Sequence, residues 1–152
     1  MEHPKVTGDR TTLAIMTALH AAGFGVLLPF GEHSRYDLAI DDGQRLARVQ
    51  CKTGRLRDGA VRFKACSSYA HHRSATVRSR PYGGAVEFFA IYCPETGRVY
   101  LVPISDLEIR HQGALRVTPP RNGQQRGVRQ ARGYEIGGVE IQMPRSDQAR
   151  RS

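Results

Sequence analysis

Arg35-Tyr36-Asp37-Leu38-Ala39-Ile40-Asp41 and Arg48-Val49-Gln50-Cys51-Lys52-Thr53 flank the turn sequence Asp41-Asp42-Gly43. Two short apolar segments about an Asp-Gly turn read as a β-hairpin over residues 36–52. Residues i and i+2 of a strand share a face, so Gln50 and Lys52 project together. A hairpin brings the end of its second strand back beside the start of its first, which sets Asp37 next to Gln50 and Lys52. One carboxylate, one amide oxygen and one ammonium at a point suit Mg²⁺-dependent hydrolysis of a phosphodiester. Asp37 is then the hard-oxygen metal ligand, with the Gln50 amide oxygen and the Cys51 carbonyl as neutral ligands. The Cys51 thiol points to the opposite side of the strand. Lys52 orients or deprotonates the attacking water and neutralises phosphate charge. The same residue types also decorate solvated hairpins, and the spacing alone does not separate the two readings. The flanking Leu38, Ile40, Leu46 and Val49 favour half-buried strands.

The 152 residues suffice for one domain with a single core. A formal net charge of +9 favours phosphate-bearing partners. Trp is absent and aromatics make up 7% of the chain, so stacking on bases is not the expected main mode of binding. Contacts to a duplex backbone are. Cys51, Cys66 and Cys93 are widely spaced with no CxxC pair, which argues against a disulfide framework and a structural zinc site. Such cysteines suit a reducing cytoplasm. Neither a signal-peptide core nor a membrane-length apolar run is present, so a soluble protein with no membrane partner is expected.

Along the chain, Leu13, Ile15, Met16, Leu19 and Ala22 predict a helix from Asp9 or Arg10 to about Ala22, capped by Thr7 or Asp9 and stopped by Gly23. Met1 to Thr7 reads as a frayed lead-in. Short strands are expected at Gly25 to Pro29 and Ala60 to Lys64, with a polar connection over Gly54 to Gly59. Glu87 to Cys93 is nearly continuous in apolar residues, the mark of a buried strand. It turns through Pro94-Glu95-Thr96-Gly97 into Arg98 to Pro103. Phe88, Phe89, Tyr92 and Tyr100 are expected in the core. Ser105-Asp106-Leu107 can begin a helical turn. Cys66 to about Pro81 shows no clear periodicity, and Arg145 to Ser152 is expected to be disordered. These elements predict a single mixed α/β domain with a central sheet over 1–118. A basic, partly disordered C-terminal segment follows over 119–152.

The run from Gly8 to Leu107 resembles the PD-(D/E)xK nuclease superfamily. Within it, the similarity is to the group I intron-associated homing endonucleases and their actinobacterial relatives. The matching blocks are Pro29-Phe30-Gly31, Arg35-Tyr36-Asp37-Leu38, Val49-Gln50-Cys51-Lys52-Thr53-Gly54-Arg55, Phe88-Phe89-Ala90-Ile91-Tyr92-Cys93-Pro94-Glu95 and Val99-Tyr100-Leu101-Val102-Pro103. In that family Gln replaces the Glu of (D/E)xK, as Gln50 does here. The resemblance implies an α/β, restriction-endonuclease-like core, a central mixed β-sheet flanked by helices in the order αβββ(α)ββ. It also implies a DNA endonuclease using Mg²⁺, with Mn²⁺ able to substitute. Relatives with a fuller site carry a Glu on the first helix where this chain has Thr12. Asp9 and Glu32 are the nearest acidic residues, and neither sits at that position. Site charge is thus reduced at Gln50 and again at Thr12. Glu87 replaces an Asp of the relatives and is expected to end a strand.

Arg35 and Arg55 bracket the motif and either grip phosphates or stay solvated. His71, His72 and Arg73 fall in a segment shared with the family, read as a DNA-facing loop. Adjacent histidines diverge, which argues against a joint zinc site. Arg121, Arg126, Arg129 and Arg132 lie among Asn and Gln, as a second DNA contact or a solvated linker. The expected partner is double-stranded DNA. Cutting both strands needs two active centres, so a homo-oligomer, dimer or tetramer, is expected. The competing function is a nuclease-fold nucleic-acid-binding module that is catalytically weak or inactive. A basic protein-interaction domain would leave the clustering of Asp37, Gln50 and Lys52 unexplained.

Overall fold

A computed structural model describes residues 2–31, 33–65, 86–107, 112–119, 122–123, 128–137 and 143. Helix α1 (Pro4–Ala21) starts at a proline, whose fixed φ suits the first helical position and whose missing N–H is not needed there. His3 Nδ1 accepts from the Lys5 N–H at 3.2 Å and caps the end. This corrects the expected lead-in through Thr7 and the expected Thr7 or Asp9 cap. Imidazole is not among the usual capping groups, so the sequence carries no plain start signal. At the other end Gly23 N–H donates to His20 C=O and Phe24 N–H to Leu19 C=O, a Schellman closure. Thr11, Ile15 and Leu19, four residues apart, form the buried stripe.

In chain order the strands are β1 (Gly25–Leu27), β2 (Leu38–Asp41), β3 (Leu46–Thr53), β4 (Arg55–Arg57), β5 (Ala60–Lys64), β6 (Phe88–Cys93), β7 (Arg98–Pro103) and β8 (Gln112–Arg116), with 3-10 turns at Ile104–Asp106 and Ala131–Gly133. Five strands form a mixed sheet in the order β1-β2-β3-β6-β7. All neighbours are antiparallel except β3 and β6, which run parallel with Val49 opposite Phe88 and Gln50 opposite Phe89. A second antiparallel sheet has the order β4-β5-β8. Neither β4 nor β8 was expected. Asp58 and Gly59, at φ 51° and 75°, make the two-residue hairpin turn between β4 and β5.

Alternation along the strands sorts the apolar residues into two cores. Phe88, Ala90, Ala47, Val49, Leu38 and Ile40 pack with Ile15 and Leu19 of α1. Phe89, Ile91 and Cys93 point the other way, onto Val61 and Phe63 of β5 and Leu115 of β8. The Phe63 and Phe89 rings meet edge to face, with centroids 6.3 Å apart. Strand β6 is therefore covered on both faces, as its continuous apolar run predicts. Among the described residues α1 covers one face of the five-stranded sheet and the second sheet covers the other. The packed body continues past residue 118: Ala131 is 4% exposed in the second core. Leu101 N–H donates to Tyr134 C=O, and Ile136 N–H to Val99 C=O.

Gly54 is the joint between the sheets. Its N–H donates to Tyr92 C=O at 2.8 Å, and the chain then leaves β3 for β4. A Cβ at Gly54 would lie 2.6 Å from Val61 Cγ1 and 2.7 Å from Ile91 Cγ2, both fully buried. Gly54→Ala should therefore lower the unfolding free energy by about 1–3 kcal/mol through overpacking. Gly8→Ala, in the helix with nothing within 4 Å of the added carbon, should raise it by up to about 1 kcal/mol. Urea midpoints with unchanged slopes measure both, and opposite signs are expected.

Candidate active site

The β2–β3 hairpin is held in register by its turn. Asp41 accepts from Gly43 N–H at 2.7 Å, and Asp42 accepts from Gln44 and Arg45 N–H at 2.8 and 2.7 Å. These backbone hydrogen bonds lower the Asp42 carboxyl pKa. The ladder ends with Leu38 opposite Val49, and just beyond it the Asp37 N–H donates to Val49 C=O at 3.0 Å. A one-residue slip would send every one of these side chains to the other face.

Asp37 Oδ2 receives two hydrogen bonds, from Gln50 Nε2 at 2.9 Å and from Cys51 N–H at 2.8 Å. The carboxylate is thus aimed at the free end of β3. Backbone groups alternate along a strand, so Cys51 C=O lies on the same edge of β3 as Val49 C=O, the edge that faces Asp37. Lys52 shares the face of Gln50, and its Nζ sits 5.7 Å from the centroid of the Phe89 ring. The structure therefore brings Asp37, Gln50, the Cys51 backbone and Lys52 to one end of one hairpin.

Cys51 occupies the opposite face, against the α1 core. Burial pushes its thiol well above the ordinary range, and the Asp37 carboxylate adds to that push. A hydrogen bond with Thr12 and the charge of Lys52 oppose it. Thr12 thus stands behind the hairpin end, its hydroxyl also bonded to Gly8 C=O at 3.1 Å. Its neighbour Thr11 meets Thr53 hydroxyl to hydroxyl at 2.6 Å and ties α1 to the end of β3.

Sequence reasoning missed one pair. Arg48, on the Gln50 face, donates its backbone N–H to Glu87 Oε2 at 2.6 Å and its guanidinium to the same carboxylate, with Nη2 to Oε1 at 2.9 Å. Glu87 N–H returns a bond to Arg48 C=O at 3.0 Å, and Glu87 C=O accepts from Ile104 N–H. These hydrogen bonds raise the Arg48 pKa further, and burial opposes the shift. Glu87 thus precedes β6 as a clamp on the β3–β6 seam. The period-two run Arg48-x-Gln50-x-Lys52 was the available signal for Arg48.

Of the expected nucleic-acid contacts, Arg35 is exposed two residues before Asp37. Arg55 is exposed on β4, 3.7 Å from Glu95. Arg129 is half-buried, with its C=O accepting from Arg116 N–H at 2.7 Å. His71, His72, Arg73 and Arg126 lie outside the described residues, as do Glu32 and Cys66. Asp9 is exposed on α1. Among the described residues no cluster of three His, Cys, Asp or Glu side chains exists, and no helix is long and apolar enough to cross a membrane.

A family model described as PD-(D/E)XK endonuclease matches residues 2–137. The bacterial homing endonuclease I-Ssp6803I is similar in structure, with a TM-score of 0.64 at 22% identity, over 90% of this chain and 88% of that one. The Holliday junction resolvase Hjc of the archaeal hyperthermophile Archaeoglobus fulgidus is more distant, with a TM-score of 0.44 at 15% identity. That match spans 72% of this chain and 84% of the resolvase. No curated protein matches the chain in sequence. The fold is restriction-endonuclease-like, a five-stranded mixed sheet with α1 against it.

Two expectations come from the half-buried groups. Glu87→Gln places an amide N–H₂ against the Arg48 donors and should cost about 1–2 kcal/mol of stability, a figure held down by the partial exposure of the pair. Chemical denaturation measures it. The Cys51 thiol has a raised folded pKa, so its contribution to stability is full below the unfolded thiol pKa of about 8.5 and is lost as pH rises past it. Stability should fall between about pH 8 and pH 10, less steeply in Cys51→Ala than in wild type. Iodoacetamide should label Cys51 far more slowly in native protein than in urea.

Proposed function

The chain belongs to the PD-(D/E)XK endonuclease family, and on that premise we propose that it hydrolyses phosphodiester bonds of double-stranded DNA with a divalent metal ion. The observation that carries this reading is the Asp37 carboxylate held by Gln50 Nε2 and Cys51 N–H beside Lys52. The charge of +9 supports a polyanionic duplex as substrate. Cleavage of both strands calls for two such centres and so for a homo-oligomer.

The donor set fits a small hard cation. Asp37 contributes carboxylate oxygen and the one formal charge, Cys51 a carbonyl oxygen, and Gln50 an amide oxygen once its terminal amide turns over. Mg²⁺ is the ion proposed, with Mn²⁺ able to replace it. When bound, the cation supplies positive charge at the scissile phosphate and a more acidic water. Asp37 orients that charge. Lys52 adds its own beside the phosphate, and its ammonium can donate to the oxygen of the attacking water and orient it. The Phe89 ring keeps the ammonium at the end of the sheet rather than in bulk solvent.

A second reading has one observation in its favour. Among the described residues the site carries a single carboxylate, and that carboxylate already accepts from the Gln50 amide. A neutral donor of this kind holds Asp37 without any cation, as a protein that binds DNA without cutting would require.

Supercoiled-plasmid relaxation in Mg²⁺ and Mn²⁺ separates the two. Asp37→Ala should abolish metal-dependent cutting. Lys52→Ala should slow it by about 10²–10⁴-fold with only a modest loss of DNA affinity. Gln50→Glu restores a charged ligand and should lower the metal concentration needed for half-maximal cutting. Cutting that survives both Asp37→Ala and Lys52→Ala would place the active site elsewhere. A wild type that binds DNA yet fails to cut in either metal would establish the binding-only reading.

A further inference from the structure

The second sheet presents its outer face to solvent, and that face is cationic. Val61, Phe63 and Leu115 point into the core, so alternation sends Arg62 and Lys64 of β5 outward together with their ladder partners. Arg55 lies directly opposite Arg62, and Lys64 opposite Gln112. Arg57 shares the face of Arg55, and Arg116, at the end of β8, shares that of Gln112. Arg55, Arg57, Arg62 and Lys64 are exposed, and Arg116 is half-buried. Against these five cations the described residues offer Glu95, 3.7 Å from Arg55, and a hydrogen bond from Arg116 Nε to Thr118 C=O.

Like charges directly opposite each other across an antiparallel pair are destabilising. Arg55 against Arg62 is such a pair, retained in the middle of a three-stranded sheet. Strands lie about 4.8 Å apart and next-nearest residues about 6.8 Å apart, so the cations, on three strands and in three rows, occupy an area on the order of 10 by 14 Å. A duplex carries one negative charge per roughly 1.7 Å of axis, so about six to eight phosphate charges span these lengths. The face also begins close to the candidate active site. Three peptide units separate Lys52 from Arg55, about 10 Å of chain at most, and Gly54 packs tightly between them.

We propose that the outer face of the β4-β5-β8 sheet is a phosphate-contact surface that lays double-stranded DNA across the chain while the hairpin end meets the scissile bond. The proposal rests on the nuclease reading for its choice of polyanion. The repulsion between Arg55 and Arg62 is relieved when phosphates lie over them. The cations read no sequence; they set the position and orientation of the duplex on the protein.

The test uses the whole protein in EDTA, so that binding is measured without cutting. Fluorescence anisotropy of a labelled 30-base-pair duplex is followed from low to moderate salt for wild type, for Arg62→Gln with Lys64→Gln, and for a control with the same loss of charge, Arg10→Gln with Arg45→Gln. The sheet variant should bind about tenfold or more weakly at low salt. Its slope of log K against log salt should fall by about 1.8, or 0.9 per lost phosphate contact. Its Tm should hold or rise, because a like-charge contact has been removed. The control should keep the wild-type slope. A wild-type slope in the sheet variant overturns the proposal and leaves the nuclease reading intact. An equal fall in the control also overturns it, since net charge alone would then explain binding. A wild type that binds no duplex overturns the nuclease reading and this surface together.

Discussion

The parallel seam between β3 and β6 places every other part of the site, and its chemistry explains why it is fastened so heavily. Parallel pairing is slightly weaker per residue than antiparallel pairing and cannot be enforced by a tight turn. Here its register is enforced by the Glu87 carboxylate, which binds the backbone and the guanidinium of Arg48, and by the return bond from Glu87 N–H. Phe88 and Phe89 follow at once and enter the two cores on opposite sides of the sheet. Once that seam is set, Gln50 and Lys52 are set with it. The hairpin turn then delivers Asp37 to them from the other side.

Polar and apolar demands divide cleanly across β3. Toward α1 it offers Ala47, Val49 and the Cys51 thiol, with Thr53 meeting Thr11 at the end. On the other face Arg48, Gln50 and Lys52 are partly covered, and each has a described contact: Glu87, Asp37 and the Phe89 ring respectively. A half-buried amide or ammonium must find such partners, because an unsatisfied polar group there is costly. The same contacts restrict the rotamers of the site residues, so the site is largely ordered before any ligand arrives.

Local patterns made the hairpin, the buried β6 and the β6–β7 turn legible in the sequence, and with them the cluster of Asp37, Gln50 and Lys52. What stayed hidden depends on distant residues or on unusual local chemistry. Parallel pairing of β3 with β6 has no signature in either strand. Strand β8 is five residues long and includes Gly113, where an added Cβ would meet the Phe63 ring 2.2 Å away. Its strand character is therefore visible only once β5 is in place. Asp58-Gly59 was a plain hairpin signal, obscured because the arginines around it read as a polar linker. The helix start was hidden by a histidine cap, and Ala131 by the arginines and glycines on either side of it.

The two outer strands of the main sheet are closed off in different ways, and this bears on how the chain is made. Strand β1 is short and runs straight into Leu28-Pro29, where the proline has no N–H to offer a further strand. Strand β7 is instead sealed by backbone bonds from the stretch around Tyr134 and Ile136. That stretch leaves the ribosome some thirty residues after β7 does, a delay of about 2–6 s at ordinary rates of synthesis. During that interval β7 presents an unpaired, apolar edge to whatever is nearby. Chaperone occupancy on the nascent chain would be expected to concentrate there and to end when residues 134–136 emerge.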